Sequence, residues 1–140
     1  MDQQNAHIVK EVKDAFEKMT GYSEKAEPDL FLSYYENAPD FLHISGDGQI
    51  RNYEEFKKIC SEYYTNLQEQ KILTTREKIF VIDTDLVILS WTGNIVAKFK
   101  NGDSMKMNKY SITNVFKKTH SKWKVIHAHE SSLPPEIIKK

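Results

Sequence analysis

The chain predicts an α+β fold in which three helices come first and a curled, mainly antiparallel sheet follows, in the order α-α-β-β-α-β-β-β-β. Three observations carry this. The hydrophobic period changes from 3.6 to 2 near Lys71, the last four periodic segments are joined by short turn-like links, and one of those segments switches parity midway, as a bent strand does. With 140 residues, 39% hydrophobic and 29% charged, and no internal repeat or Pro/Gly/Ser linker, residues 1–140 read as one domain.

Residues 6–19 place Ile8, Val12, Ala15, Phe16 and Met19 on one helical face, with Gly21 as the expected stop. Glu27-Pro28-Asp29 opens a second, shorter helix carrying Leu30, Phe31, Tyr34 and Tyr35, because proline suits the first turn and an acidic side chain favours the helix dipole there. Pro39 ends it. Residues 40–45 read as a strand, Gly46-Asp47-Gly48 as a tight turn and residues 49–51 as the return. Asn52 and Glu55 have capping-box spacing. Behind them Phe56, Ile59, Cys60, Tyr63 and Leu67 form a helical stripe ending near Gln70.

Four strands are expected over residues 71–82, 86–99, 104–118 and 122–131. Val87, Leu89, Trp91, Gly93, Ile95, Ala97 and Phe99 share one face of the second. In the third, Met105 and Met107 hold one parity and Tyr110, Ile112, Asn114 and Phe116 the other, which a bulge near Asn108-Lys109 reconciles. Strict alternation in the last puts Trp123, Val125, His127, His129 and Ser131 on one face, opposite Lys124, Ile126, Ala128 and Glu130.

Twenty basic and twenty acidic residues give a net charge of zero, so no overall field recruits nucleic acid or an anionic membrane. The balance is uneven along the chain. Residues 1–70 hold seven basic and fourteen acidic side chains, residues 71–140 thirteen and six. Lys98, Lys106, Lys117 and Lys124 alternate with apolar residues, and the aromatic residues sit mainly on the opposite parity. That describes a solvated or interface-rim face rather than a stacking platform for nucleic acid. Cys60 stands alone, which suits a reducing compartment, and neither a signal-peptide pattern nor a membrane-length apolar run occurs. A cytoplasmic location is expected.

The element order, with Lys122-Trp-Lys-Val-Ile-His-Ala-His-Glu-Ser-Ser-Leu-Pro134 at its end, resembles the SnoaL-like group of the nuclear transport factor 2-like superfamily over essentially the whole chain. The closing strand is also similar to that of the calcium/calmodulin-dependent protein kinase II association domain. A second, weaker match is Asp40-Phe-Leu-His-Ile-Ser-Gly-Asp-Gly48 with Tyr53-Glu-Glu-Phe56. The resemblance implies a cone-shaped half-barrel with a pocket at its open end, the face carrying Trp123 to Ser131 turned into the cone, and a homodimer through the outer sheet face.

On those parities His127 and His129 lie about 7 Å apart on one side of a strand, near enough to share a proton or substrate. They are the candidate catalytic residues, with His43 approaching from the helical side. Tyr35, Trp91, Tyr110, Asn114 and Ser131 are the candidate ligand contacts. The histidine pair has only His43 as a third metal ligand, so no metal or other cofactor is assigned. A ketosteroid-isomerase-like site needs a carboxylate base and a protonated carboxylic acid. Along the resemblance these positions fall at or beside His43 and Asn114, leaving an imidazole base and an amide donor instead. Packing competes with each role, since buried histidines are commonly hydrogen-bonded core residues and large aromatics in an apolar run are commonly core.

Two functions follow. One is a small-molecule-binding domain that takes an apolar or mixed-polarity ligand, with acid/base chemistry by the pocket histidines, and it requires a real cavity. The other is a non-enzymatic dimerisation or adaptor domain with a filled cone and an outer apolar patch centred near Ile126 and Ala128.

Overall fold

The helical face read near the N-terminus forms α1 (Gln3–Glu24) in a computed structural model that describes residues 2–140. The Asp2 side chain caps it by accepting from the Asn5 amide at 2.7 Å. Gly21 does not stop the helix. The helix runs on to bury Ser23, whose hydroxyl lies 2.6 Å from that of Tyr64 and accepts from Gln70 Nε2 at 2.7 Å.

α2 (Pro28–Leu32) starts on proline as expected but lasts only five residues. The backbone then leaves the helix to pair with the last long strand. The Val125 amide donates to the Tyr34 carbonyl at 2.8 Å and the Glu36 amide to the Val125 carbonyl at 2.9 Å, which fixes Tyr35 beside the sheet. The hairpin β1 (Leu42–Ile44) and β2 (Ile50–Arg51) follows. α3 (Tyr53–Asn66) opens on a complete capping box, with Asn52 accepting from the Glu55 amide at 2.9 Å and Glu55 from the Asn52 amide at 3.1 Å. It ends at Asn66, and β3 (Leu67–Asp83) begins at Leu67 rather than Lys71. The buried side chains of Leu67 and Gln70 serve the strand's inner face as well as they would a helical stripe, so the apolar spacing did not separate the two.

β4 (Leu86–Phe99), β5 (Ser104–Thr119), β6 (Lys122–Ser131) and a short β7 (Glu136–Ile138), absent from the expected order, complete the chain. The strands run β2-β1-β6-β5-β4-β3, with β7 beside β5, and every pairing is antiparallel except β1 with β6. The sheet is curved and not closed, and the helices cover its concave side. Val87, Leu89, Trp91, Gly93, Ile95 and Ala97 are all buried on that side. The β5 bulge lies where its parity switch placed it. Gly93 pairs with Tyr110 and Ile95 with Met107, so Asn108 and Lys109 together face Asn94, and Lys109 takes a φ of 50°.

A bulge in β6 overturns the expected face of that strand. Phe116 pairs with Val125 and Val115 with His127, so Ile126 is an extra residue without a partner. Beyond it the parity inverts. Trp123 and Val125 point inward, and then so do Ala128 and Glu130, while His127 is half-buried on the outer side and His129 is exposed. An outer patch centred on Ala128 is excluded by the same inversion, since Ala128 is buried inside.

Candidate active site

Between the helices and the sheet lies a cavity of about 360 Å³. Its lining is mostly apolar and aromatic, from Phe16 and Met19 of α1 to Trp91, Ile95 and Ile112 of the sheet. Gly93 shapes that wall. A Cβ there would collide with the Leu73 carbonyl oxygen and stand 2.7 Å from the Trp91 ring, so only glycine lets the indole lie along the strand. Trp91 Nε1 donates to Thr74 Oγ1 at 2.8 Å, which fixes the ring.

Polar groups enter the cavity in two places. On the α1–α3 side, Ser23, Tyr63, Tyr64 and Gln70 satisfy one another, with the Tyr63 hydroxyl donating to Gln70 Oε1 at 2.6 Å. Burial pushes the Tyr63, Tyr64 and Cys60 ionisations up, which keeps this side neutral.

The other place holds a charge. Glu130 reaches the cavity wall from β6 with its side chain 25% exposed. His43 Nε2 lies 2.7 Å from Glu130 Oε1, and the Tyr110 hydroxyl donates to Oε2 at 2.8 Å. The sheet assembles this group. His43, Ala128 and Asn114 occupy one inward row across β1, β6 and β5, and Glu130 stands two residues beyond Ala128. The His43 ring is 1% exposed and packs on Phe56 with ring centroids 4.4 Å apart. Its Nδ1 has no partner, so a tautomer with the proton on Nε2, donating to the carboxylate, satisfies the most atoms. Burial first, and then the Glu130 charge, hold the Tyr35 and Tyr110 hydroxyls well above their usual ionisation range. Both stay protonated as donors. Asn114 lines the cavity with Oδ1 buried and unpartnered.

Of the candidates read from sequence, Tyr35, Trp91, Tyr110 and Asn114 all line this cavity. His43 stands behind the wall and reaches the cavity only through Glu130. Inward placement of His127 and His129 is corrected by the Ile126 bulge, which turns both to the outer face, where they pair alongside Leu42 and Ile44. Ser131 is exposed and lines a separate groove. Strict alternation puts Glu130 on the outer face, and the Ile126 bulge turns it inward. The signal that finds it is a parity switch like that of β5, because Trp123 and Val125 are apolar on one parity and Ile126 and Ala128 on the other. Among the described residues, no three His, Cys, Asp or Glu side chains are grouped to hold a metal ion, and no helix is long and apolar enough to cross a membrane.

No curated protein matches the sequence. Solved structures share the fold at low identity. A candidate scytalone dehydratase from Novosphingobium aromaticivorans is 8% identical with a TM-score of 0.85, over 100% of this chain and 93% of its own. A hexachlorocyclohexane dehydrochlorinase is 13% identical with a TM-score of 0.77, over 99% and 94%. A candidate calcium/calmodulin-dependent protein kinase II association domain from Xanthomonas campestris is 21% identical with a TM-score of 0.73, over 89% and 86%. These likenesses speak to the fold alone. The SnoaL-like domain profile matches residues 12–135, most of the length over which the helices and the curved sheet enclose the cavity, and the chain belongs to the SnoaL-like domain family.

Proposed function

We propose that the chain is an enzyme that holds a small, largely apolar molecule in the cone and moves a proton from carbon with Glu130 as the base. One observation carries this: a carboxylate at the wall of an apolar cavity, held from behind by buried His43 and at its side by Tyr110. Each carboxylate oxygen accepts one hydrogen bond, which leaves lone pairs free toward the cavity. A C–H bond placed against them gives up its proton to Glu130. The electron pair then forms a double bond as a leaving group departs from the neighbouring carbon, or moves onto a carbonyl oxygen. Tyr35, kept neutral by burial, donates a hydrogen bond to that departing or developing oxygen. Asn114 is an orienting contact for a donor on the ligand. Proteins of this shape described as a dehydratase and as a dehydrochlorinase perform eliminations by name, which favours elimination as the reaction class. The cavity speaks against an adaptor with a filled cone.

The test is a screen of cyclic β-hydroxy ketones and cyclic halides for elimination, comparing the native protein with Glu130→Gln. Turnover of at least one compound, falling about 10²–10⁴-fold in Glu130→Gln at unchanged melting temperature, is expected. An undiminished rate in Glu130→Gln sinks the assignment of the base, and no turnover across the screen sinks the reaction class.

We also propose that two copies pair through the outer sheet face, as the family resemblance implies. Phe80, Ile88, Val115, His127 and Leu42 form one continuous outer row across β3, β4, β5, β6 and β1, and Phe80 is 58% exposed. An apolar row this wide, uncovered by the chain's own helices, suits an isologous contact with a second copy.

A further inference from the structure

A second hollow of about 400 Å³ adjoins the cone at Glu130 and has no part in the chemistry above. It exists because β5 changes partners. β6 pairs with β5 from Ser111 onward and β7 pairs with it from Ser104 to Lys106, so Met107 to Tyr110 have no ladder partner on that side. Between the two pairings the chain detours through Ser132-Leu133-Pro134-Pro135, tied back by the Leu133 amide to the Asn108 carbonyl at 3.1 Å. The opposite rim is the β1–β2 turn, Ser45, Gly46 and Asp47. Met107, Tyr110 and Glu130 line both this groove and the cone.

Both rims are fixed. Arg51, buried beneath the turn, donates to Ser45 Oγ at 3.1 Å and to both carboxylate oxygens of Asp47, and Asp47 Oδ1 also accepts from the Gln49 amide at 3.0 Å. Two consecutive prolines stiffen the other rim. The groove is proportionally more polar than the cone, with Ser45, Ser131 and Ser132 and the carboxylate residues Asp47 and Glu130 along it. Acceptors outnumber donors. The guanidinium of Arg51 is committed to Asp47 and the two charges cancel, so an anionic group entering here meets the carboxylate of Glu130 and no uncommitted cation among the lining residues.

We propose that this groove is a second ligand subsite, taking the neutral, hydroxyl-bearing end of a two-part molecule whose apolar part fills the cone, with the junction of the two parts against Glu130. The proposal rests on the reading of the cone as a small-molecule site. Met107 is the flexible member of the partition it forms with Tyr110 and Glu130, and its unbranched side chain changes rotamer at little cost to let a ligand span both compartments. The substrate class is then an aromatic or alicyclic body bearing a polyol or glycosyl substituent, rather than a carboxylated or phosphorylated one.

Three matched probes test this by calorimetric or fluorescence titration: 2-naphthol, 2-naphthyl glucoside and 2-naphthyl glucuronide, which differ in the presence of a sugar and of a carboxylate on it. The glucoside is expected to bind about tenfold more tightly than 2-naphthol, the increment of one or two net hydrogen bonds, and the glucuronide no better than 2-naphthol. Ser132→Trp, which fills the groove from its half-buried rim, is expected to remove the glucoside's advantage and leave 2-naphthol affinity unchanged. Binding of 2-naphthol without any gain from the sugar, or a gain that survives Ser132→Trp, overturns the groove proposal alone. A glucuronide that binds as well as the glucoside overturns its preference for neutral ends. Failure of all three probes to bind overturns the reading of the cone itself, and the groove proposal with it.

Discussion

Glu130 and the two histidines flanking its strand neighbour show how much rests on single side chains. Imidazoles at alternate positions are natural acid/base candidates, yet the charged side chain facing the cavity is the carboxylate beside them, and the histidine that contacts it, His43, comes from the hairpin. Trp91, Tyr110 and Asn114 were legible as inward residues because their strands keep a readable apolar face, whereas Tyr35 comes after the end of α2 and is held inward by its bridge to Val125. The buried tyrosines also set a pH response. Tyr35, Tyr63, Tyr64 and Tyr110 have folded-state ionisations raised above the ordinary value of 10.0, chiefly by burial. Above about pH 10 the unfolded chain releases these protons and the folded chain keeps them, so the unfolded state binds fewer protons. Their stabilising contribution is complete below that pH and drains away as pH rises toward the folded-state values. Tyrosinate absorbance and circular dichroism followed together should show these four ionising only as the protein unfolds. Ionisation of all the tyrosines in a still-folded protein would contradict their burial.

Elements were legible to the extent that their signals are local. The capping box of α3 is one such signal, since Asn52 and Glu55 satisfy each other's backbone amides without help from the rest of the fold. Asn52→Ala should cost about 1 kcal/mol and lower the melting temperature by about 3–4 °C, measured by calorimetry, whereas Asn52→Asp should stay close to native. Equal losses in both variants would mean that the cap contributes through packing rather than through its side-chain acceptor. The end of α3 was not legible, because Leu67 and Gln70 face inward in either geometry. The length of α2 was hidden for another reason. Tyr34 and Glu36 give their backbone groups to Val125, some ninety positions away, and that pairing overrides local helix propensity. The bulges of β5 and β6 differ in kind. Asn108-Lys109 is a polar pair, with Lys109 at a positive φ, whereas Ile126 is an ordinary β-branched strand residue marked only by the switch of apolar parity from Trp123 and Val125 to Ile126 and Ala128.

Across the whole molecule, the acidic first half supplies the helices and the hairpin, and the basic second half supplies most of the sheet. The zero net charge is therefore divided between two layers, and the cavity lies where they meet. The outer face of the sheet is left uncovered by the helices and exposes large apolar side chains such as Phe80. If two copies pair there, light scattering coupled to gel filtration should give a dimer mass for the native chain. Phe80→Glu, at a position already exposed, should yield a folded monomer. A native monomer at high micromolar concentration would end the dimer proposal. The sequence by itself determined the class of fold, the order of the helices and long strands, the inner face of β4 and the bend in β5, because period, caps and turns are properties of neighbouring residues. Only the tertiary structure decided which face of β6 looks inward, that His43 and Glu130 meet across 87 positions, and that a polar groove opens where β5 passes from β6 to β7. Each of these depends on strand register, which is fixed by pairing between distant segments, and one unpaired residue at Ile126 is enough to exchange a pair of histidines for a carboxylate at the wall of the cone.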